Sequence, residues 1–164
     1  MGQTELHFSD LHARASDLRL AVVAGRYNPR VADSLLEGAL GALRELGLSE
    51  GQVEIFRVPG AFELPLLAKE LAQIGSFDAI VCLGAVIRGD TSHFDYVCEG
   101  VTQGLMQAML QTQVPMAFGV LTTEDEAQAL ARSGRNEHNK GREAALTAVE
   151  MALLQQRIRH GKPA

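Results

Sequence analysis

The sequence predicts an open, doubly wound α/β domain: a three-layer αβα sandwich around a parallel sheet of about four strands. Two observations carry this. The short runs 20–24 (LAVVA) and 79–83 (AIVCL) are apolar without alternation, as expected of parallel strands covered on both faces. Between and after such runs lie longer stretches whose apolar residues recur at three- and four-residue spacing, the pattern of amphipathic helices. Strands alternating with helices give a parallel sheet with a helical layer on each side. The 164 residues suit one domain at ~100–200 residues per domain.

The first strand, 20–24, ends at Gly25. Within 31–46, Leu35, Leu36, Ala39, Leu40, Leu43 and Leu46 form one helix face, and Gly47 closes the helix. Residues 53–58 (VEIFRV) alternate as a strand, Pro59-Gly60 breaks it, and 64–74 is helical. The apolar run 79–83 leads towards a polar turn, 88–92. A third helix runs from Phe94 or Tyr96 to 111, and the fourth strand covers 115–121, ending at Thr122-Thr123. Thr123 is the expected N-cap of a short helix over 125–132, with Glu126 as its capping-box partner. A loop, 133–139, leads into an Ala-rich helix over about 140–159. Its stripe of Ala144, Ala145, Ala148, Val149 and Ala152 admits a close helix, either from the same chain or from a second copy. The expected organisation is an N-terminal segment, 1–17, one domain, 18–160, and a tail, 161–164.

With 15 Lys+Arg against 20 Asp+Glu the net charge is -5, and no basic run is present, so nucleic acid is not an expected partner. Cys82 and Cys98 are too few for a disulfide framework, and neither has a second Cys at metal-ligand spacing; they read as core thiols in a reducing compartment. Residues 1–17 mix Glu5, His7, Asp10, His12 and Arg14 with short apolar stretches. That pattern has neither a signal-peptide core nor a membrane span of ~18 apolar residues. A cytoplasmic protein with no membrane partner is expected. Aromatic residues are few, six Phe and two Tyr without Trp, so the core rests on Ala, Val, Leu and Ile.

Ligands of such sheets sit beyond the carboxyl ends of the strands. Those ends are 25–28 (GRYN), 59–63 (PGAFE), 84–93 (GAVIRGDTSH) and 118–123 (FGVLTT). Gly84 and Gly89 have the glycine spacing of a P-loop, but Asp90 stands where the lysine would be, so a nucleoside triphosphate is not expected. A smaller phosphate held by backbone N–H groups, the Thr91 hydroxyl and an arginine stays open. His93, just past this turn, is either a surface or cap histidine or a group that gives and takes a proton near neutral pH. His93, Asp95 and Cys98 spread too widely around one helix to share a metal, so no metal site is expected. Glu63 sits at a helix start, where the dipole favours a carboxylate. Arg132 and Lys140 flank a Gly- and Asn-containing loop as helix-end charges. No hydrolase nucleophile pattern and no G-x-G-x-x-G is present, so no dinucleotide cofactor is expected. A module holding flavin mononucleotide is the competing reading, although 25–29 (GRYNP) lacks a Ser/Thr-rich phosphate loop.

Taken in order, 58–65 (VPGAFELP), 84–98 (GAVIRGDTSHFDYVC), 118–123 (FGVLTT) and 139–141 (NKG) closely resemble the 6,7-dimethyl-8-ribityllumazine synthase family, without gaps over about 20–154. The resemblance implies a flavodoxin-like fold and the penultimate step of riboflavin biosynthesis. In that step 5-amino-6-(D-ribitylamino)uracil condenses with 3,4-dihydroxy-2-butanone 4-phosphate, releasing phosphate and water. The partners so implied are these two small molecules, with no cofactor. The resemblance puts Tyr27 in a ring-stacking position that is usually Phe. It puts Ala61, Phe62, Glu63, Ala85, Val86 and Ile87 around the ribityl chain and pyrimidinedione edge. Asp90, Thr91 and Arg132 would hold the butanone phosphate, with Arg88 and Lys140 as further candidates, and His93 would donate the proton. Phe118 and Arg132 would come from a neighbouring subunit, because the family builds pentamers with sites between subunits. Some members pack pentamers into a shell. Here the loop 134–140 (GRNEHNK) keeps the length of the G-T-K-A-G-N-K-like loop of shell formers but differs at Asn136, Glu137 and His138, so both assembly sizes stay open. The alternation at Leu6-His7-Phe8 fits either a strand added to a neighbour's sheet or a loose end.

Overall fold

The computed structural model describes residues 11–12 and 14–160. Strands β1 (Leu20–Gly25), β2 (Val53–Val58), β3 (Ala79–Ile87) and β4 (Met116–Thr123) form one all-parallel sheet in the order β2-β1-β3-β4. Five helices connect and cover them: α1 (Pro29–Glu45), α2 (Leu64–Ile74), α3 (His93–Thr112), α4 (Glu126–Ser133) and α5 (Lys140–Arg159). The three-layer, flavodoxin-like sandwich read from the sequence is the observed architecture. The N-terminal strand considered around Leu6-His7-Phe8 and the tail 161–164 lie outside the described residues.

The pleat of the central strands separates two cores. Leu20, Val22 and Ala24 of β1 point to the layer of α1 and α5, while Ala21 and Val23 point to the layer of α2 and α3. All six residues of β1 are buried, which is why its sequence shows no alternation. Leu11 and Ala15 pack into the α1/α5 core with Leu18. A third cluster, with Val31, Leu35, Ala85, Leu121 and Ala129, seats α4.

The helix ends follow local chemistry. Pro29 occupies the first turn of α1, where a missing N–H costs nothing. At its other end Gly47 has φ 84°, its N–H donates to the Arg44 carbonyl (2.9 Å), and the Leu48 N–H donates to that of Leu43 (3.1 Å), a Schellman motif. Asn139 caps α5 from a buried position: Oδ1 accepts from the N–H of Gly141 (2.8 Å) and Arg142 (3.1 Å). Its amide donates to the carbonyls of Ser34 (3.1 Å), Ser133 (2.8 Å) and Gly134 (3.0 Å).

Four expectations need correction. First, β3 continues past Leu83 to Ile87, because β4 pairs with it as far as Thr123. Gly84 is therefore a strand residue and not the start of a phosphate loop. Second, the N-cap of α4 is Asp125, whose Oδ1 accepts from the Gln128 N–H (2.7 Å). Thr123 is held in the ladder opposite Ile87, so the chain advances two more residues before it can turn; the Thr123 hydroxyl donates to the Asp125 carbonyl (3.0 Å). Third, the alanine stripe of α5 is buried within the chain, so it offers no face to a second copy. Fourth, of the two thiols only Cys82 is a core residue, since Cys98 is partly exposed.

Candidate active site

A cavity of about 470 Å³ opens at the carboxyl ends of β1 and β3, on the α2/α3 side. The loop after β1 is tied down twice: the Arg26 and Tyr27 N–H groups donate to the Pro59 carbonyl (3.0 Å each), and the Asn28 amide donates to the Ala85 carbonyl (2.9 Å). Asn28 takes a left-handed conformation (φ 55°), one that Asn tolerates better than most residues. This turns Tyr27 outward onto Gly60, where a Cβ would lie 2.6 Å from its ring, so only glycine lets the ring rest there.

From the other side, Ala61–Glu63 forms a short 3₁₀ turn between β2 and α2, and Glu63 Oε2 accepts from the Gly60 N–H (2.9 Å). That bond fixes the carboxylate and the turn together. Phe62 is 60% exposed at the cavity wall and lies against Gly100 of α3. Ala85, Val86 and Ile87 from β3 form the base, and His93, the exposed first residue of α3, stands at the rim.

A second cavity of about 500 Å³ runs along the edge strand β4, where it meets α4 and α5. Phe118 is 46% exposed there. Arg132 donates from Nη1 to the Gln128 carbonyl (3.0 Å) and has no ion pair among the described residues. Lys140 differs, with its ammonium held by the Glu143 carboxylate (2.6 and 2.9 Å). Thr122, Thr123 and Thr147 add hydroxyl-bearing side chains, so the cavity presents one unpaired guanidinium beside the Lys140–Glu143 ion pair and these hydroxyls, and suits an anion.

The chain thus gathers Tyr27, Ala61, Phe62, Glu63, Ala85, Val86, Ile87 and His93 around one cavity and Phe118, Arg132 and Lys140 around another, and the two share no lining residue. Asp90 and Thr91 line neither; they are exposed on the turn between β3 and α3, where the Thr91 hydroxyl accepts from the His93 N–H (3.3 Å). Arg88 also lies outside both. Its guanidinium bonds to Asp95 and Glu124 and sits 4.2 Å from the Phe94 ring centre. The arginine's hydrogen bonds and charge hold the Asp95 carboxyl below the usual carboxylate range. Partial burial, and then the Asp95 charge, raise the Cys98 thiol.

Sequence reasoning placed Asn28, Gly60 and Tyr96 in or beside the site segments without giving them a role in the first cavity, and it did not single out Gln128 or Glu143 in the second. Asn28 had a readable signal, an Asn between a strand end and a helix-initial Pro. Glu143 had another, its i,i+3 spacing from Lys140.

The family model described as 6,7-dimethyl-8-ribityllumazine synthase matches residues 17–156. Proteins of that name from Salinibacter ruber, Chlorobium phaeovibrioides and Chlorobium luteolum are 50%, 52% and 51% identical over 140 residues, covering 85% of this chain and 90% of each relative. The chain belongs to the 6,7-dimethyl-8-ribityllumazine synthase family.

Proposed function

We propose that the chain catalyses the reaction its relatives are named for, condensing 5-amino-6-(D-ribitylamino)uracil with 3,4-dihydroxy-2-butanone 4-phosphate and releasing phosphate and water. The observation that carries the reading is the division of the site. One cavity has the exposed ring of Tyr27, apolar walls and an imidazole at its rim, while the other has an unpaired guanidinium. A planar pyrimidine fits the first and a phosphate the second.

On this reading the pyrimidine stacks on Tyr27, with its edge and ribityl chain along Ala61, Phe62, Glu63, Ala85, Val86 and Ile87. His93 moves the proton during condensation. The turn residues Asp90 and Thr91 reach the phosphate of the butanone from one copy, and Arg132 reaches it from the next, with Phe118 closing the ring sandwich and Lys140 available once released from Glu143. The site is therefore assembled between two copies of the chain. A heterologous contact of this kind closes into a ring, and the family resemblance supports a pentamer, with a shell of pentamers as its larger form. The setting is the cytoplasm, in keeping with the free thiols Cys82 and Cys98. Among the described residues no helix is long and apolar enough to cross a membrane.

Amine and ketone already react with each other, so holding them together in the right orientation supplies most of the acceleration. Purified protein mixed with both substrates should form the fluorescent lumazine and release phosphate well above the uncatalysed rate; no increase would overturn the reading. Shared sites have their own test. Co-assembling Tyr27→Ala with Arg132→Ala chains should restore about a quarter of the sites, because a random ring pairs two intact halves with that frequency. No recovery over the separate variants would place each site within one chain. Light scattering distinguishes a pentamer from a shell.

A further inference from the structure

Five consecutive exposed residues, Gly89 to His93, link β3 to α3 and carry Asp90, Thr91 and His93. Such a segment has no buried side chain of its own to fix it. Its base, however, is fastened at a single side chain. Arg88 donates from Nη1 and Nη2 to the two carboxylate oxygens of Asp95 (3.2 and 2.9 Å), and from Nε to Glu124 (2.6 Å). Its guanidinium lies over the Phe94 ring, 4.2 Å from the centre, and Phe94 is itself buried. The Arg88 backbone N–H donates to the Thr123 carbonyl (2.9 Å). One residue thereby joins the end of β3, the first turn of α3 and the segment between β4 and α4.

We infer that Arg88 is a positioning residue for the proposed reaction: it closes the base of the turn and sets where His93, Asp90 and Thr91 stand relative to β3. The inference rests on the lumazine-forming reading for its effect on turnover, but the staple itself is a property of this chain. The geometry needs arginine. Three donors aimed at two carboxylates, together with a flat face on an aromatic ring, fit a rigid planar guanidinium and exceed what one ammonium can do. The alternative role, a phosphate ligand, would require Arg88 to act through donors left over from Asp95 and Glu124.

Steady-state kinetics on Arg88→Met, Arg88→Lys and Asp95→Asn separate the two. Positioning predicts that Arg88→Met lowers kcat roughly 5- to 20-fold while the KM for the butanone phosphate changes less than about 3-fold, a misplacement effect. Arg88→Lys should recover part of the loss, and Asp95→Asn should reproduce it. A KM raised about 10-fold at unchanged kcat in Arg88→Met, or a lowered KM in Asp95→Asn, would make Arg88 a ligand and overturn the proposal. Hydrogen exchange across the first turns of α3, beginning at Asp95, whose N–H donates to the Ser92 carbonyl (3.0 Å), followed by mass spectrometry, reads the staple without turnover. It should quicken roughly 10-fold in Arg88→Met with the rest of the chain unchanged, and unchanged exchange would refute the staple even in an active enzyme. Wild-type protein that forms no lumazine would instead sink the reaction, while the exchange result still decides the staple. Should Arg88→Met not fold, Asp95→Asn and Glu124→Gln carry the same comparison.

Discussion

The backbone carbonyl of Leu35 lies against the Cα of Gly141, and a methyl group placed on Gly141 would overlap it. Helices α1 and α5 therefore meet at backbone distance just where α5 begins. That contact fixes the starting point of the helix that sends Lys140, Glu143 and Thr147 into the edge-strand cavity.

Gly141→Ala should cost about 1–3 kcal/mol or more, since backbone cannot yield as a side chain can. The matched control is Gly41→Ala, on the same α1, where an added Cβ meets nothing within 4 Å. It should stabilise by roughly 0.5–1 kcal/mol, the ordinary gain of replacing a helical glycine. Urea midpoints at one protein concentration would check both.

Asn139 joins the N-terminus of α5 to three carbonyls of the neighbouring segments. Asn139→Ala should cost about 2–4 kcal/mol, a lost cap plus carbonyls left without a donor. Asn139→Asp keeps a good cap but sets a carboxylate against those carbonyls. It should be no more stable than the alanine variant, although Asp and Asn cap isolated helices equally well. Thermal unfolding of the two variants side by side decides this.

Loss of His93 and loss of Arg132 should differ in kind. His93→Ala should lower kcat by about 10²-fold, the low end of acid-base catalysis, with substrate affinity retained. Complete loss of turnover with binding intact would refute the view that orientation dominates. Arg132→Ala removes a charged hydrogen-bond donor worth roughly 1.5–3 kcal/mol, so the KM of the butanone phosphate should rise about 10- to 150-fold. A change confined to the pyrimidine would refute the phosphate assignment.

Burial pushes the Cys82 thiol up to about 12 from an ordinary 9.0. In the folded protein at pH 8 it should resist an aromatic disulfide reagent, while Cys98 should react, but more slowly than a free thiol. The unfolded chain releases the Cys82 proton near pH 9 and the folded chain only near pH 12. Its contribution to stability is thus complete below pH 9 and declines as pH rises through that window. Cys82→Ala should flatten the fall of the urea midpoint measured between pH 9 and 11.

Much of the fold was readable because its signals are local. β1 and the first half of β3 stand out as apolar runs since both are central strands, and Gly47 marks a helix end since its positive φ needs glycine. The last four residues of β3 were not readable. Gly84 and Ala85 look like a turn, and only the partner strand β4 keeps them extended. The same nonlocal register, which sets Ile87 beside Thr123, brings Glu124 to Arg88, so the occupied state of that arginine was hidden too. Site segments could be found from strand ends and motif resemblance. Their separation into two cavities depends on sheet order and on which layer receives α5, and neither is written in any short stretch of sequence.

The resting place of Tyr27 has a thermodynamic consequence. Its ring already lies on Gly60, held by a loop whose N–H groups are tied to Pro59. A flat ligand arriving there meets a side chain whose rotamer was chosen during folding, so the ordering entropy that a mobile aromatic would lose on binding is already gone. Gly60→Ala would push the ring off this seat. The signature would be weaker binding with a larger unfavourable entropy in titration calorimetry.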